Sequence, residues 1–182
     1  MTALPASKQW RTPPALLRLI ASEVGPFVLD ACADADNAVA PVWIDRYQDA
    51  LTTDWRAHAE AHGVSLAPGA AVWMNPPYGQ TVAGFAGTGA FVARAAEQAR
   101  SHHVVVAVLT EARTDAAWWA QGAALATETR VLTGRVAHLR PDGSLGDSPR
   151  TGHSLFFFDG RRSLGLGRIL TWDWKDAAGG GR

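Results

Sequence analysis

An α/β fold, a mostly parallel sheet with helices on both faces, is predicted for this chain, and three observations carry that expectation. Short apolar runs alternate along the sequence with stretches of helical spacing. One run, His103–Thr110 (HVVVAVLT), is β-branched and nearly uncharged, as a strand covered on both faces must be. Two others close on a polar residue, Asp30 and Asn75, and open α/β sheets present their chemistry at the carboxyl ends of strands.

The elements follow in order. Thr12-Pro13-Pro14 puts prolines where a helix begins, and Ala15–Val24 carries leucines at helical spacing. Pro26–Asp30 reads as a short buried strand, and Asn37–Ala50 as irregular. Ala70–Met74 is a second strand that runs directly into Asn75-Pro76-Pro77-Tyr78. A Gly-rich loop, Gly79–Gly89, precedes an alanine-rich helix over Ala90–Arg100. After His103–Thr110 come a helix over Ala116–Ala126 and strands at Thr129–Leu132, Val136–Leu139 and Ser154–Phe158. The carboxyl-terminal portion is expected to be antiparallel. Residues 1–176 read as one domain, and the small, Gly-rich 177–182 as a disordered tail.

Composition excludes several classes. With 182 residues, 47% hydrophobic and 19% charged, the chain has the make-up of a soluble globular domain. It has no apolar run of about eighteen residues, and its first residues, MTALPASKQWRTPP, lack a signal-peptide core. A cytoplasmic monomer with no membrane association is expected. Seventeen basic residues balance seventeen acidic ones, which argues against a protein that simply coats nucleic acid. The lone Cys32 excludes an internal disulfide and a cysteine zinc cage, and no metal site is expected. His58 and His62 share a helix face but make no H-E-x-x-H motif, so they read as a solvated face. Of the adjacent Trp118 and Trp119, one should enter the core and the other border a cleft. Arg113, Arg130, Arg135, Arg140 and Arg150 are candidates for phosphate contacts.

Asn75-Pro76-Pro77-Tyr78 is the sharpest chemical signal. An aromatic amine is a poor nucleophile because its lone pair is delocalised into the ring. The Asn75 amide oxygen and the Pro76 carbonyl can each accept one N–H of such an amine. Prolines at 76 and 77 stiffen the backbone, so both acceptors stand in place before the base arrives. Accepting both hydrogens favours the pyramidal nitrogen that attacks a methyl sulfonium. Tyr78 then stacks on a base flipped from the duplex.

N-P-P-Y after a strand resembles the catalytic motif of amino-group methyltransferases, chiefly those acting on adenine N6. Val28-Leu29-Asp30-Ala31-Cys32-Ala33 looks like the acid-plus-A-C-A cofactor loop of the Taq-type adenine methyltransferases, and Arg11–Pro14 resembles their Thr-Pro-Pro segment. Over roughly Trp10 to Phe158 the order of motifs is similar to that of the short phage-encoded Dam-like adenine methyltransferases. Those motifs are Trp10-Arg11-Thr12-Pro13, Asp30–Ala33, Asp49-Ala50-Leu51 with Trp55, and Asn75–Tyr78. Further on come Arg113-Thr114-Asp115 before Trp118-Trp119, then Gly134-Arg135, then Ser154 leading a strand.

The resemblance implies a single Rossmann-like class I methyltransferase domain, in a bacterial or phage-infected host, that binds S-adenosyl-L-methionine. Asp30 would meet the methionine ammonium in the loop with Ala31, Cys32 and Ala33. Asp49 would accept from the cofactor's adenine amine, with Leu51 or Trp55 against the ring. Thr12 and Pro13 would close the methionine side, and Asn75, Pro76, Pro77 and Tyr78 would be catalytic. The substrate implied is double-stranded DNA with a flipped adenine.

The chain departs from broader methyltransferase patterns in having Asp34-Ala35-Asp36-Asn37 where glycines are usual. It has Trp43 where an acid often holds the ribose, with Asp45 the nearest candidate. Phe85-Ala86-Gly87-Thr88-Gly89 matches an F-x-G-x-G core found in another class, in which the catalytic motif comes first. Only Gly79–Gly84 separates it from Tyr78, too little for the elements that order needs, so it reads as a loop closing over the flipped base. Cytosine N4 methylation is the nearest rival, although Ser-Pro-Pro-Tyr or Ser-Pro-Pro-Trp is more usual there. Protein glutamine methylation also uses N-P-P-Y, with a glycine-rich loop. The rival of another class is a non-catalytic nucleic-acid-binding relative.

Overall fold

In the computed structural model, which describes residues 11–79, 86–146, 150–162 and 167–178, three parallel strands form the middle of the sheet. They are β1 (Phe27–Asp30), β3 (Ala71–Met74) and β4 (Val105–Glu111). The short β2 (Val42–Trp43) lies parallel to β1 on its other side. Beyond β4 come β6 (His153–Asp159), β5 (Glu128–Leu132) and β7 (Arg168–Trp172), giving the order β2-β1-β3-β4-β6-β5-β7.

The sheet is mixed, and here the expectation needs correction. β6 runs antiparallel to both β4 and β5, whereas β5 and β7 pair in parallel. The antiparallel carboxyl-terminal portion that was expected is thus limited to one inverted strand, β6. The connection explains the inversion. A parallel neighbour requires a crossover, usually helical, but the described part of 133–152 holds no helix, so the chain returns antiparallel.

Side-chain alternation builds a core on each face. Leu29, Val72, Met74, Val106, Val108, Phe156 and Phe158 face one cluster. It is closed by α2 (Trp55–Ala61), α3 (Thr88–His102) and α4 (Ala117–Leu125). Phe27, Ala71, Trp73, Ala107, Leu109, Leu155 and Phe157 face the other, closed by α1 (Pro14–Val24) and α5 (Trp174–Ala177). Helices on both faces follow from strands buried at nearly every position.

Pro13 caps α1 with Pro14 in its first turn, and Gly25 closes it at φ +96°. The Asp54 carboxylate caps α2 by accepting from the Ala57 N–H at 2.9 Å. The strand expected at Val136–Leu139 is absent; Leu139 instead exchanges two backbone hydrogen bonds with Arg11, at 2.8 and 2.9 Å. Of the expected tail, Ala177 belongs to α5 and Ala178 follows it, and 179–182 lie outside the described residues. Trp10 and 80–85, most of the loop expected to close over the base, also lie outside them.

The end of the F-x-G-x-G match has a packing explanation. A Cβ built on Gly89 would stand 2.6 Å from Trp118 Cβ, and one on Gly122 would stand 2.7 Å from a methyl of Val92. Two glycines thus let α3 and α4 approach closely. Gly89→Ala is expected to lower unfolding stability by about 1–3 kcal/mol through overpacking. Gly152→Ala, where the nearest neighbour is a methyl at 3.8 Å, should change it by less than about 0.5 kcal/mol. Denaturant midpoints of the two variants check this, and equal midpoints would remove the packing argument.

Candidate functional site at the carboxyl ends of β1 and β3

The strand order reverses at β1, which has β2 on one side and β3 on the other. Such a point opens a crevice beyond the carboxyl ends of the strands. Asp30 ends β1, and Asn75 follows β3 directly. Ala31 N–H donates to Trp73 O at 2.8 Å, and Ala33 N–H to Ile44 O at 3.2 Å, so the loop after β1 is stitched to both neighbouring strands.

Asp30 is 2% exposed. It caps no helix; its carboxylate accepts from the backbone N–H groups of Cys32 at 3.3 Å and Val39 at 3.2 Å. Burial outweighs these two donors and pushes its pKa up to about 7. Burial raises the half-buried Cys32 thiol as well, and the charges of Asp30 and Asp49 add to the effect, so both acids lie near that sulfur. Asp49 has a left-handed backbone at φ +59°, and its carboxylate accepts from Leu51 N–H at 3.0 Å. The Asp30–Cys32 loop and Asp49 thus converge from separate segments.

Two expectations change. Trp55 is fully buried in the core, with its indole N–H donating to Ala50 O at 2.9 Å, so only the half-buried Leu51 can meet a ligand ring. Ala31 is likewise fully buried against the core, with its N–H on Trp73 O. Asp45 follows β2, where its carboxylate accepts from the Tyr47 and Gln48 N–H groups at 2.8 and 3.0 Å.

The catalytic candidates are held from several directions. Asn75 Nδ2 donates to Thr12 Oγ1 at 3.3 Å, and the Tyr78 hydroxyl donates to Asn75 Oδ1 at 2.9 Å. Thr12, expected on the cofactor side, therefore also orients the Asn75 amide. Pro13 is half-buried beside it as the cap of α1, Pro76 is buried and Pro77 exposed. The buried Thr88 hydroxyl takes up Gly79, accepting from its N–H at 3.1 Å, while Thr88 N–H donates to Gly79 O at 3.1 Å.

Two residues here were not singled out from sequence. His138 and His153 face each other with Nε2 atoms 3.2 Å apart, and their rings lie 6.4 and 6.1 Å from that of Tyr78. The available signal was the position of His153 at the head of a strand with a Leu-Phe-Phe-Phe run. Among the proposed phosphate contacts, Arg130 is committed elsewhere: it binds Glu23 and Glu128 at 2.6 Å each and lies over Phe157 and Trp172. Arg113 pairs with Asp115 at 3.1 Å. Trp119 enters the core, its indole donating to Ser154 Oγ at 3.1 Å, while Trp118 is half-buried.

Among the described residues, no helix is long and apolar enough to cross a membrane. Comparison with known proteins bears on what this crevice serves. A protein of Escherichia coli (strain K12) named "Putative methyltransferase YfdM" is 39% identical over 71 residues, covering 38% of this chain and 70% of that protein. The family described as DNA N-6-adenine-methyltransferase (Dam) matches residues 2–162, a span that takes in the Asp30 loop, Asn75–Tyr78 and both histidines. The chain belongs to the DNA N-6-adenine-methyltransferase family.

Proposed function

We propose that this protein transfers a methyl group from S-adenosyl-L-methionine to N6 of an adenine flipped out of double-stranded DNA. It would act as a monomer, in the cytoplasm, on a Rossmann-like class I domain. The observation that carries the reading is the meeting of two groups at one end of the sheet. A buried Asp30 short of positive charge stands at the end of β1, and Asn75–Tyr78 stands at the end of the adjacent β3.

The residues fit the cofactor. A carboxyl raised to about 7 with only backbone donors is completed by an ammonium, and the methionine end supplies one. Cys32 and Ala33 border that end, with Thr12 and Pro13 opposite. Asp49 and Leu51 meet the adenine end. When bound, S-adenosyl-L-methionine supplies a methyl carbon on cationic sulfur; the N6–C bond forms as the S–C bond breaks, sulfur keeps the electron pair, and N6 releases one proton to water. Asn75 Oδ1 accepts one N–H of the amine and the Pro76 carbonyl the other, drawing the lone pair out of the ring system. Pro77 keeps the Pro76 carbonyl fixed. Thr12 holds the Asn75 amide through Nδ2, so its oxygen needs no reorganisation during the reaction. Tyr78 supplies the face on which the base stacks.

Incubation with unmethylated DNA and methyl-labelled cofactor, followed by nucleoside analysis, tests the reading. The expected product is N6-methyladenine. N4-methylcytosine would move the protein to the cytosine class, and no labelled base with the cofactor bound would leave a protein substrate or a non-catalytic role.

A further inference from the structure

Tyr78 sits in a place that its stacking role alone does not explain. Its ring is half-buried beside His138 and His153, and its hydroxyl donates to Asn75 Oδ1, the acceptor that the target amine needs. Burial and the charge of Glu111 raise the phenol pKa, so the hydroxyl remains a donor. The two histidines are anchored independently. His153 is 1% exposed and heads β6, paired across from Glu111, and His138 precedes the Leu139 that is bridged to Arg11. Burial lowers the pKa of both, His153 to about 4, so near neutral pH they form an uncharged aromatic wall with rings 5.1 Å apart.

We infer that the Tyr78 hydroxyl occupies, on Asn75 Oδ1, the place of the incoming amine N–H, and that His138 and His153 form the seat from which the ring leaves as a base enters. The inference rests on the proposed function and adds positioning roles for two residues. A stand-in donor keeps a half-buried amide oxygen satisfied in the free protein. The base must then displace that donor, so the contact is felt in base capture and not in the methyl-transfer step. His138 and His153 are positioning residues, acting through Tyr78.

The full chain has two tyrosines, and Tyr47 is 67% exposed. Carbon-13 ring labelling therefore yields two sets of NMR signals, which Tyr47→Phe assigns. With the demethylated cofactor bound, unmethylated DNA is expected to shift the Tyr78 signals. In steady-state methylation, Tyr78→Phe should lower KM for DNA about 2- to 10-fold, the equivalent of one hydrogen bond no longer displaced. His138→Leu, checked for folding by circular dichroism, should lower KM in the same direction. Tyr78 signals that DNA leaves unmoved, or a KM unchanged or raised in Tyr78→Phe while DNA is still methylated, would overturn the inference alone. No methylated base from any form with cofactor bound would overturn the proposed function and the inference together.

Discussion

Asn75→Ala is expected to lose about a hundredfold or more of its turnover on DNA while binding S-adenosyl-L-methionine as tightly as the parent. The magnitude follows from deleting one preorganised group aimed at the reacting atom, by analogy with loss of an oxyanion-hole donor. The selectivity for turnover follows because the contact strengthens only as the amine nitrogen pyramidalises. Asn75 reaches its partners through its amide alone, Nδ2 to Thr12 and Oδ1 from Tyr78. Neither contact belongs to the Asp30 loop. Single-turnover methylation and calorimetry measured side by side check the separation. A variant that lost both activities together would show the asparagine to be a scaffold for the cofactor loop.

The second large effect is at Asp30, where stability and function should move in opposite directions. Its pKa is about 7 in the folded chain against an ordinary 3.8. Between those values the folded protein holds a proton that the unfolded chain has released. Stability therefore falls as pH rises from about 4 to about 7, and the deficit is complete above 7. A shift of roughly three units corresponds to at most about 4 kcal/mol. Asp30→Asn cannot ionise and keeps an oxygen for one of the two N–H groups, Cys32 on Oδ1 or Val39 on Oδ2. It should raise stability at pH 8 by up to that amount and change it little near pH 4. Cofactor affinity should fall at least tenfold, since a charge-assisted hydrogen bond is worth about 1.5–3 kcal/mol. Denaturation curves at both pH values, with calorimetry at pH 8, check the pair. A stability difference independent of pH would show that the buried carboxyl is not the source.

The contrast between what the sequence revealed and what it hid has physical causes. Strands β1, β3, β4 and β6 were legible because each is apolar at nearly every position, the mark of a strand covered on both faces. The motif at Asn75 was legible because two prolines after a strand have few other uses. β2 was not, since its two residues, Val42 and Trp43, carry no period at all. β7 was hidden because it is an exposed edge whose Arg168 and Ile169 face solvent. An antiparallel carboxyl-terminal portion was expected, but that it is confined to β6 was hidden, because strand direction depends on the path of the connection and not on strand composition. Within the site, Asp30 and Asn75 stood out by chemistry. The Thr12–Asn75 and Tyr78–histidine contacts did not, because each joins segments sixty or more residues apart.

That separation has a consequence for when the protein becomes competent during synthesis. Thr12 meets Asn75, and Tyr78 meets His138 and His153, so the site draws on the chain from its first described residues to the head of β6. Chains emerge amino end first, and long-range contacts close only when both partners are free to meet. A nascent chain that has released Asn75–Tyr78 but not β6 lacks the strand that pairs with β4 along its full length. It also lacks one wall of the tyrosine seat. The half-made protein therefore carries the motif without the geometry.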